Sequence, residues 1–170
     1  MTPTKILVLA TGGTFDKEYD ELRGTLDFRR THLPQMLALG RCRLEVEVET
    51  VRLMDSLDLT DADREAIAER CRDAAAEHVV VTHGTDTMVE TAAAVAAAIG
   101  GSGKTVVFTG AMIPFAFGSS DGLFNLGSAL SFVQALKPGV YIAMNGRWFP
   151  WNDCRKNREL GVFESLPTSD

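Results

Sequence analysis

Five consecutive apolar residues, Ile6-Leu7-Val8-Leu9-Ala10, run straight into Thr11-Gly12-Gly13-Thr14, and that junction limits the folds open to this chain. An apolar run without alternation reads as a strand buried on both faces, the kind found inside a parallel sheet flanked by helices. The two glycines let the backbone turn sharply and approach a ligand closely. The hydroxyls of Thr11 and Thr14 are then held at the strand's carboxyl end, where open α/β sheets keep their ligands. Thr14 is the candidate nucleophile and Thr11 the support of the turn. Taken alone, the same stretch is equally well a plain strand-ending turn.

The punctuation repeats down the chain. Thr31 to Leu39 is expected as a short helix capped by Thr31 and stopped by Gly40. Leu44 to Val51 alternates apolar with acidic residues, which describes a half-exposed strand near a sheet edge. It leads into Asp55-Ser56-Leu57-Asp58, and a helix opens at Thr60 with Asp63 placed to complete a capping box. Val79 to Thr82 is a third strand that delivers His83-Gly84-Thr85-Asp86-Thr87 to the start of an alanine-rich helix, Met88 to Ile99. Backbone N–H groups and the positive helix end then point at one spot. Singly, Asp86 or Thr87 has the plainer role of an N-cap, and His83 that of a hydrogen-bonded turn residue. A fourth strand, Thr105 to Thr109, precedes Gly110 to Pro114 and a helix running from Asp121, its expected N-cap, to Leu136. A fifth, Val140 to Ala143, leads toward Asn145 and on to Lys156. Phe15 to Arg30 is charged and aperiodic, so it is expected to be a mobile loop, with Tyr19 inside it.

Strands alternating with helices predict an α/β fold: a three-layer α/β/α sandwich around a mainly parallel, flavodoxin- or Rossmann-like sheet, in one domain over residues 1–170. The polar clusters at Thr11 to Thr14, Ser56, His83 to Thr87 and Asn145 to Lys156 all follow strands, so they gather on one edge of the sheet. Gly100-Gly101-Ser102-Gly103-Lys104-Thr105 is not a phosphate loop: Ala98 stands where a glycine is required, and the segment follows a helix and precedes a strand. A net charge of -6 argues against a nucleic-acid footprint. The longest helix-like apolar stretch, Thr91 to Ile99, is too short to span a bilayer, and the N-terminus has no signal-like region, so a cytoplasmic protein is expected. Three scattered cysteines, Cys42, Cys71 and Cys154, suit reduced thiols, and no metal spacing is present.

Several of these stretches carry a resemblance. Thr11-Gly12-Gly13-Thr14, His83-Gly84-Thr85-Asp86-Thr87-Met88 with Glu90-Thr91-Ala92, and Thr109-Gly110-Ala111-Met112-Ile113-Pro114 followed by Ser120-Asp121-Gly122 and Asn125 resemble, in order, the signatures of the bacterial-type L-asparaginase and glutaminase family. The resemblance implies that Thr14 is the nucleophile, that Tyr19 serves it, and that Thr85, Asp86 and Lys156 form a Thr-Lys-Asp arrangement. It implies substrate binding by Gly13, Asp55, Ser56, Gly84, Thr85 and Asp86, with Ser56 and Asp86 on the substrate's carboxylate and amino group and main-chain groups of the Gly12-Gly13 turn and the Thr85 loop polarising the amide. The chemistry fits: a threonine hydroxyl needs a base, and a lysine withdrawn from water can be one.

The resemblance also implies differences. Family members usually carry a second, C-terminal domain, so a short single-domain form is expected, and Leu57 and Ile113 stand where the family has glutamine and arginine. A homo-oligomer, dimer or tetramer, is expected because a neighbour must cover the cleft. The expected reaction is conversion of L-asparagine to L-aspartate and ammonia without metal or organic cofactor. The competing functions are a non-catalytic amino-acid or nucleotide binding module, and an amidase acting on another amide such as glutamine or a tRNA-linked amide.

Overall fold

Residues 4–168 are described in the computed structural model of the chain. Six strands form the central sheet: β1 (Lys5–Gly12), β4 (Glu45–Met54), β5 (His78–Thr82), β6 (Thr105–Thr109), β7 (Gly139–Met144) and β8 (Arg147–Pro150). Four helices cover it: α1 (Leu33–Leu39), α2 (Asp61–Asp73), α3 (Met88–Ile99) and α4 (Gly122–Ala135). Two small hairpins complete the fold, β2 (Glu18–Asp20) with β3 (Thr25–Asp27) and β9 (Arg155–Asn157) with β10 (Val162–Glu164).

The sheet order is β4-β1-β5-β6-β7-β8, parallel except for β8, which returns antiparallel along β7. Counting only the parallel strands, this is the flavodoxin-like order, and the chain reverses its direction of winding between β1 and β5. A ligand crevice is expected at that switch point.

The sandwich is legible residue by residue. Leu7, Leu9, Val79, Val81, Val106 and Phe108 face α2 and α3, while Ile6, Val8, Ala10, Val80 and Val107 face α1 and α4. Alternate side chains of each strand thus feed two separate cores, which is why the strands read as continuous apolar runs. Fully burying each such side chain contributes about 1.5 to 3 kcal/mol. The β4 alternation has the expected cause: Val46 and Val48 pack inward, whereas Glu49 pairs with Arg70 at 2.7 Å and Glu47 with Lys5 at 2.9 Å. These charges sit on an edge strand and discourage further strand pairing. The capping box forms, with Thr60 Oγ1 accepting from the Asp63 N–H and Asp63 Oδ2 accepting from the Thr60 N–H.

Three expectations are corrected. Phe15 to Arg30 is not an irregular loop: a 310 turn over Thr14–Asp16 is followed by the β2-β3 hairpin. Its turn is tied by Asp20, whose Oδ1 accepts from the N–H groups of Leu22 and Arg23, and by Gly24 at φ 68°. Strands of three residues are too short to show a period, so the sequence carries no signal of them. The N-cap position of α1 is His32 rather than Thr31, whose hydroxyl nevertheless accepts from the Leu33 N–H at 3.3 Å. Asp121 occupies the N-cap position of α4 without capping it: its carboxylate accepts from the N–H groups of Met112 and Ile113 and from Asn125 Nδ2. No helix among the described residues is long and apolar enough to cross a membrane. The three cysteines are free thiols.

Candidate active site

The carboxyl ends of β1, β4 and β5 meet through glycines at the switch point. Gly12 and Gly13 have φ of 101° and 73°, which disfavours any side chain. A Cβ on Gly12 would strike the main chain of Met54, and one on Gly13 would strike the main chain of Gly84. A Cβ on Gly84 would fall 2.6 Å from Ser56 Cβ and Oγ. Thr14 and Thr85 are therefore each one residue beyond two backbones in direct contact, and Ser56 closes the third side. Polar clamps hold the loops: Thr11 Oγ1 donates to the Thr82 carbonyl at 2.7 Å, and Thr87 Oγ1 to the Ser56 carbonyl at 2.9 Å.

Lys156 arrives from the far end of the chain on β9. Its Nζ donates to Thr85 Oγ1 at 2.8 Å and to Asp86 Oδ1 at 3.0 Å, with the lysine side chain only 14% exposed. The Lys156 hydrogen bond is the main cause holding the Asp86 carboxyl below its usual range, with the Arg158 charge adding to it. The β9-β10 hairpin that carries Lys156 is fixed by Asn145, whose Oδ1 accepts from the Phe163 N–H and whose φ of 58° turns the chain after β7.

His83 is a buried turn residue. Its Nδ1 is 2.7 Å from the Gly84 carbonyl and its Nε2 2.8 Å from Thr91 Oγ1, and burial lowers its pKa to about 4, so the ring is neutral at pH 7. No three histidine, cysteine, aspartate or glutamate side chains are grouped to hold a metal ion among the described residues.

Of the residues singled out in the sequence, Gly13, Ser56, Gly84, Thr85, Asp86 and Lys156 are brought together, with Thr14 at their edge. Asp55 adjoins the group but its carboxylate is engaged by Lys17 at 2.8 Å. Tyr19 is 56% exposed on β2 and makes no hydrogen bond to Thr14 among the described residues. The Gly13 N–H, expected to polarise an amide, is spent on the Met54 carbonyl at 2.9 Å. In contrast, the N–H groups of Thr14, Thr85 and Asp86 and the hydroxyls of Thr14 and Ser56 find no protein partner among the described residues. The Gly13–Gly84 and Gly84–Ser56 contacts bring the segments that carry these donors together at the strand ends, where a carbonyl or carboxylate oxygen could be held. Arg158 lies outside the expected set; its Nη1 donates to Asp86 Oδ1 at 2.6 Å. It lies in the turn that directly follows β9, and no periodic signal in the sequence marks it.

The model of the asparaginase N-terminal domain covers residues 5–168. The chain belongs to the asparaginase family. Within it, the chain is 36% identical over 166 residues to L-asparaginase 1 of Escherichia coli, covering 92% of this chain and 48% of that one. It is 30% identical over 171 residues to an L-asparaginase of Thermococcus kodakarensis, covering 98% and 52%. The crystal structure of L-asparaginase I from Vibrio cholerae superposes with a TM-score of 0.83 at 28% identity, covering 98% of this chain and 53% of that chain. The chain thus spans about half the length of the asparaginases it matches. Among the relatives is also a glutamyl-tRNA(Gln) amidotransferase subunit from Pyrobaculum aerophilum, 35% identical over 130 residues, or 75% of this chain and 31% of that one.

Proposed function

We propose that the protein is an amidohydrolase that converts L-asparagine to L-aspartate and ammonia. The observation that carries this reading is the Lys156 ammonium bridging Thr85 Oγ1 and Asp86 Oδ1 at the strand ends where the Gly13 and Gly84 backbones, each preceding a threonine, are in contact. Thr14 Oγ1 attacks the side-chain amide carbon and its proton passes toward the Thr85-Lys156 pair. The C–N bond then breaks as the pair relays that proton to the leaving ammonia, and water attacks the resulting Thr14 ester, its proton returning through the same pair to Thr14 Oγ1, to release L-aspartate. The free N–H groups of Thr14 and Thr85 receive the charge that develops on the amide oxygen, a role in which one well-placed donor typically contributes about 3 to 4 kcal/mol. Ser56 Oγ takes the substrate's α-carboxylate and Asp86 its α-ammonium.

Leu57, Met112 and Ile113 are exposed beside this ledge, an apolar rim suited to a second copy of the chain, and a homo-oligomer is part of the proposal. A monomer by light scattering with full activity would remove that part.

A second reading, an amidase acting on a tRNA-linked amide, is favoured by the likeness to the amidotransferase subunit. The net charge of -6 opposes nucleic-acid binding by this chain alone. Ammonia release over a panel of L-asparagine, D-asparagine, L-glutamine and glutamine-bearing tRNA tests both. Release from L-asparagine supports the first reading, and release from none of the free amino acids overturns it.

A further inference from the structure

Asp86 carries two cations on a single oxygen. Lys156 Nζ and Arg158 Nη1 donate to Oδ1 at 3.0 and 2.6 Å, and Arg158 Nη2 also reaches the Asp86 carbonyl at 3.4 Å. The other carboxylate oxygen, Oδ2, accepts no hydrogen bond among the described residues. The two cations differ in setting. Lys156 is withdrawn from water and anchored by Thr85, whereas the Arg158 side chain is 64% exposed at the mouth of the site.

Arg158 is nevertheless aimed there by its backbone. Asn157 Oδ1 accepts from the N–H groups of Glu159 and Leu160, and the Gly161 N–H returns to the Asn157 carbonyl, with Gly161 at φ 65°. That tight turn follows β9 directly, so the lysine and the arginine reach the same carboxylate from one short segment. A guanidinium stays charged at any working pH, so this pairing persists wherever the Asp86 carboxylate is ionised.

The consequence concerns charge at the site. Asp55 is already matched by Lys17, which leaves one carboxylate, Asp86, facing two cations. An incoming carboxylate is welcome in that field. An incoming ammonium must share Asp86 with the guanidinium or displace it.

We propose that Arg158 is a specificity-determining residue that competes with the substrate's α-ammonium for Asp86, so that the site favours carboxylate-bearing side-chain amides whose α-amino group is absent or acylated over free asparagine. This rests on the amidohydrolase reading of the same site. Because the pair is exposed, the competition is modest and weakens with salt.

The test compares L-asparagine with succinamate, the same skeleton without the amino group, as substrates for the unmodified protein, Arg158→Gln and Arg158→Lys. Calorimetric binding of L-aspartate and succinate to the same three proteins gives a second readout that needs no turnover. Arg158→Gln is expected to raise the asparagine-to-succinamate ratio of kcat/KM about three- to tenfold, through KM with kcat unchanged. It is expected to tighten aspartate over succinate by a similar factor, and Arg158→Lys to restore the original ratios. Turnover intact with both ratios unmoved in Arg158→Gln overturns the role of Arg158 and leaves the hydrolase reading standing. No ammonia from either substrate, with aspartate still tightened over succinate, overturns the hydrolase reading and supports the competition at Asp86.

Discussion

Lys156 and Thr85, 71 residues apart in sequence, are joined by a 2.8 Å hydrogen bond from ammonium to hydroxyl, which ties β9 to the loop that follows β5. Replacing the lysine by methionine keeps most of its apolar stem and leaves Asp86 paired with Arg158. Lys156→Met is therefore expected to lower kcat for ammonia release by about 10² to 10⁴, the usual range for a positioned acid-base group, with little change in melting temperature. Activity within a few-fold of the parent would show that the lysine moves no proton.

Thr14 has a hydroxyl with no protein partner among the described residues, so its loss removes chemistry rather than structure. Thr14→Ala is expected to fold with unchanged circular dichroism and to release ammonia only at background. Full activity would exclude Thr14 as the attacking group.

The glycine contacts between the three strand ends predict a graded series. Gly84→Ala places a Cβ 2.6 Å from the Ser56 side chain, an overpacking expected to cost about 1 to 3 kcal/mol and to displace Ser56. Gly13→Ala adds a backbone collision and an unfavourable φ, and is expected to cost more. Gly127→Ala, in α4 with no heavy atom within 4 Å of the new methyl, is expected to gain about 0.5 to 1 kcal/mol. Urea midpoints rank the three, and a neutral Gly13→Ala would mean the strand ends are not in contact.

His83 gives a pH dependence with a definite sign. Its pKa falls from 6.5 to about 4 on burial, so between those values the unfolded chain binds a proton that the folded one does not. The contribution of neutral His83 is complete above pH 6.5 and is lost as pH falls toward 4, each unit being worth about 1.4 kcal/mol. Urea denaturation at steps from pH 7.5 to 4.5 should show this loss, and His83→Gln should lack this part of the slope. Identical slopes in both proteins would mean the ring is hydrated in the folded state.

The layered sheet, the α2 capping box and the limits of α3 and β6 are legible in the sequence because each depends on residues a few positions apart. Asp121 misleads for the same reason. Its spacing to the helix marks a cap, but the nearby N–H groups of Met112 and Ile113 compete for the carboxylate and take it. The β2-β3 and β9-β10 hairpins are invisible in the sequence because three-residue strands leave no periodic trace.

The sequence by itself determined that buried strands alternate with helices, and that reactive side chains follow the strands. Its local hydrophobic period and turn chemistry suffice for that. Only the tertiary structure decided which of those side chains meet. Sheet order sets Gly13 against Gly84 and Gly84 against Ser56, consumes the Gly13 N–H on Met54, and brings Lys156 and Arg158 together on one oxygen of Asp86. Such contacts join residues 28 to 72 positions apart for the bonded pairs Thr85–Lys156, Asp86–Arg158 and the Lys104 ammonium to the Ala76 carbonyl, and no periodicity within a single element encodes them.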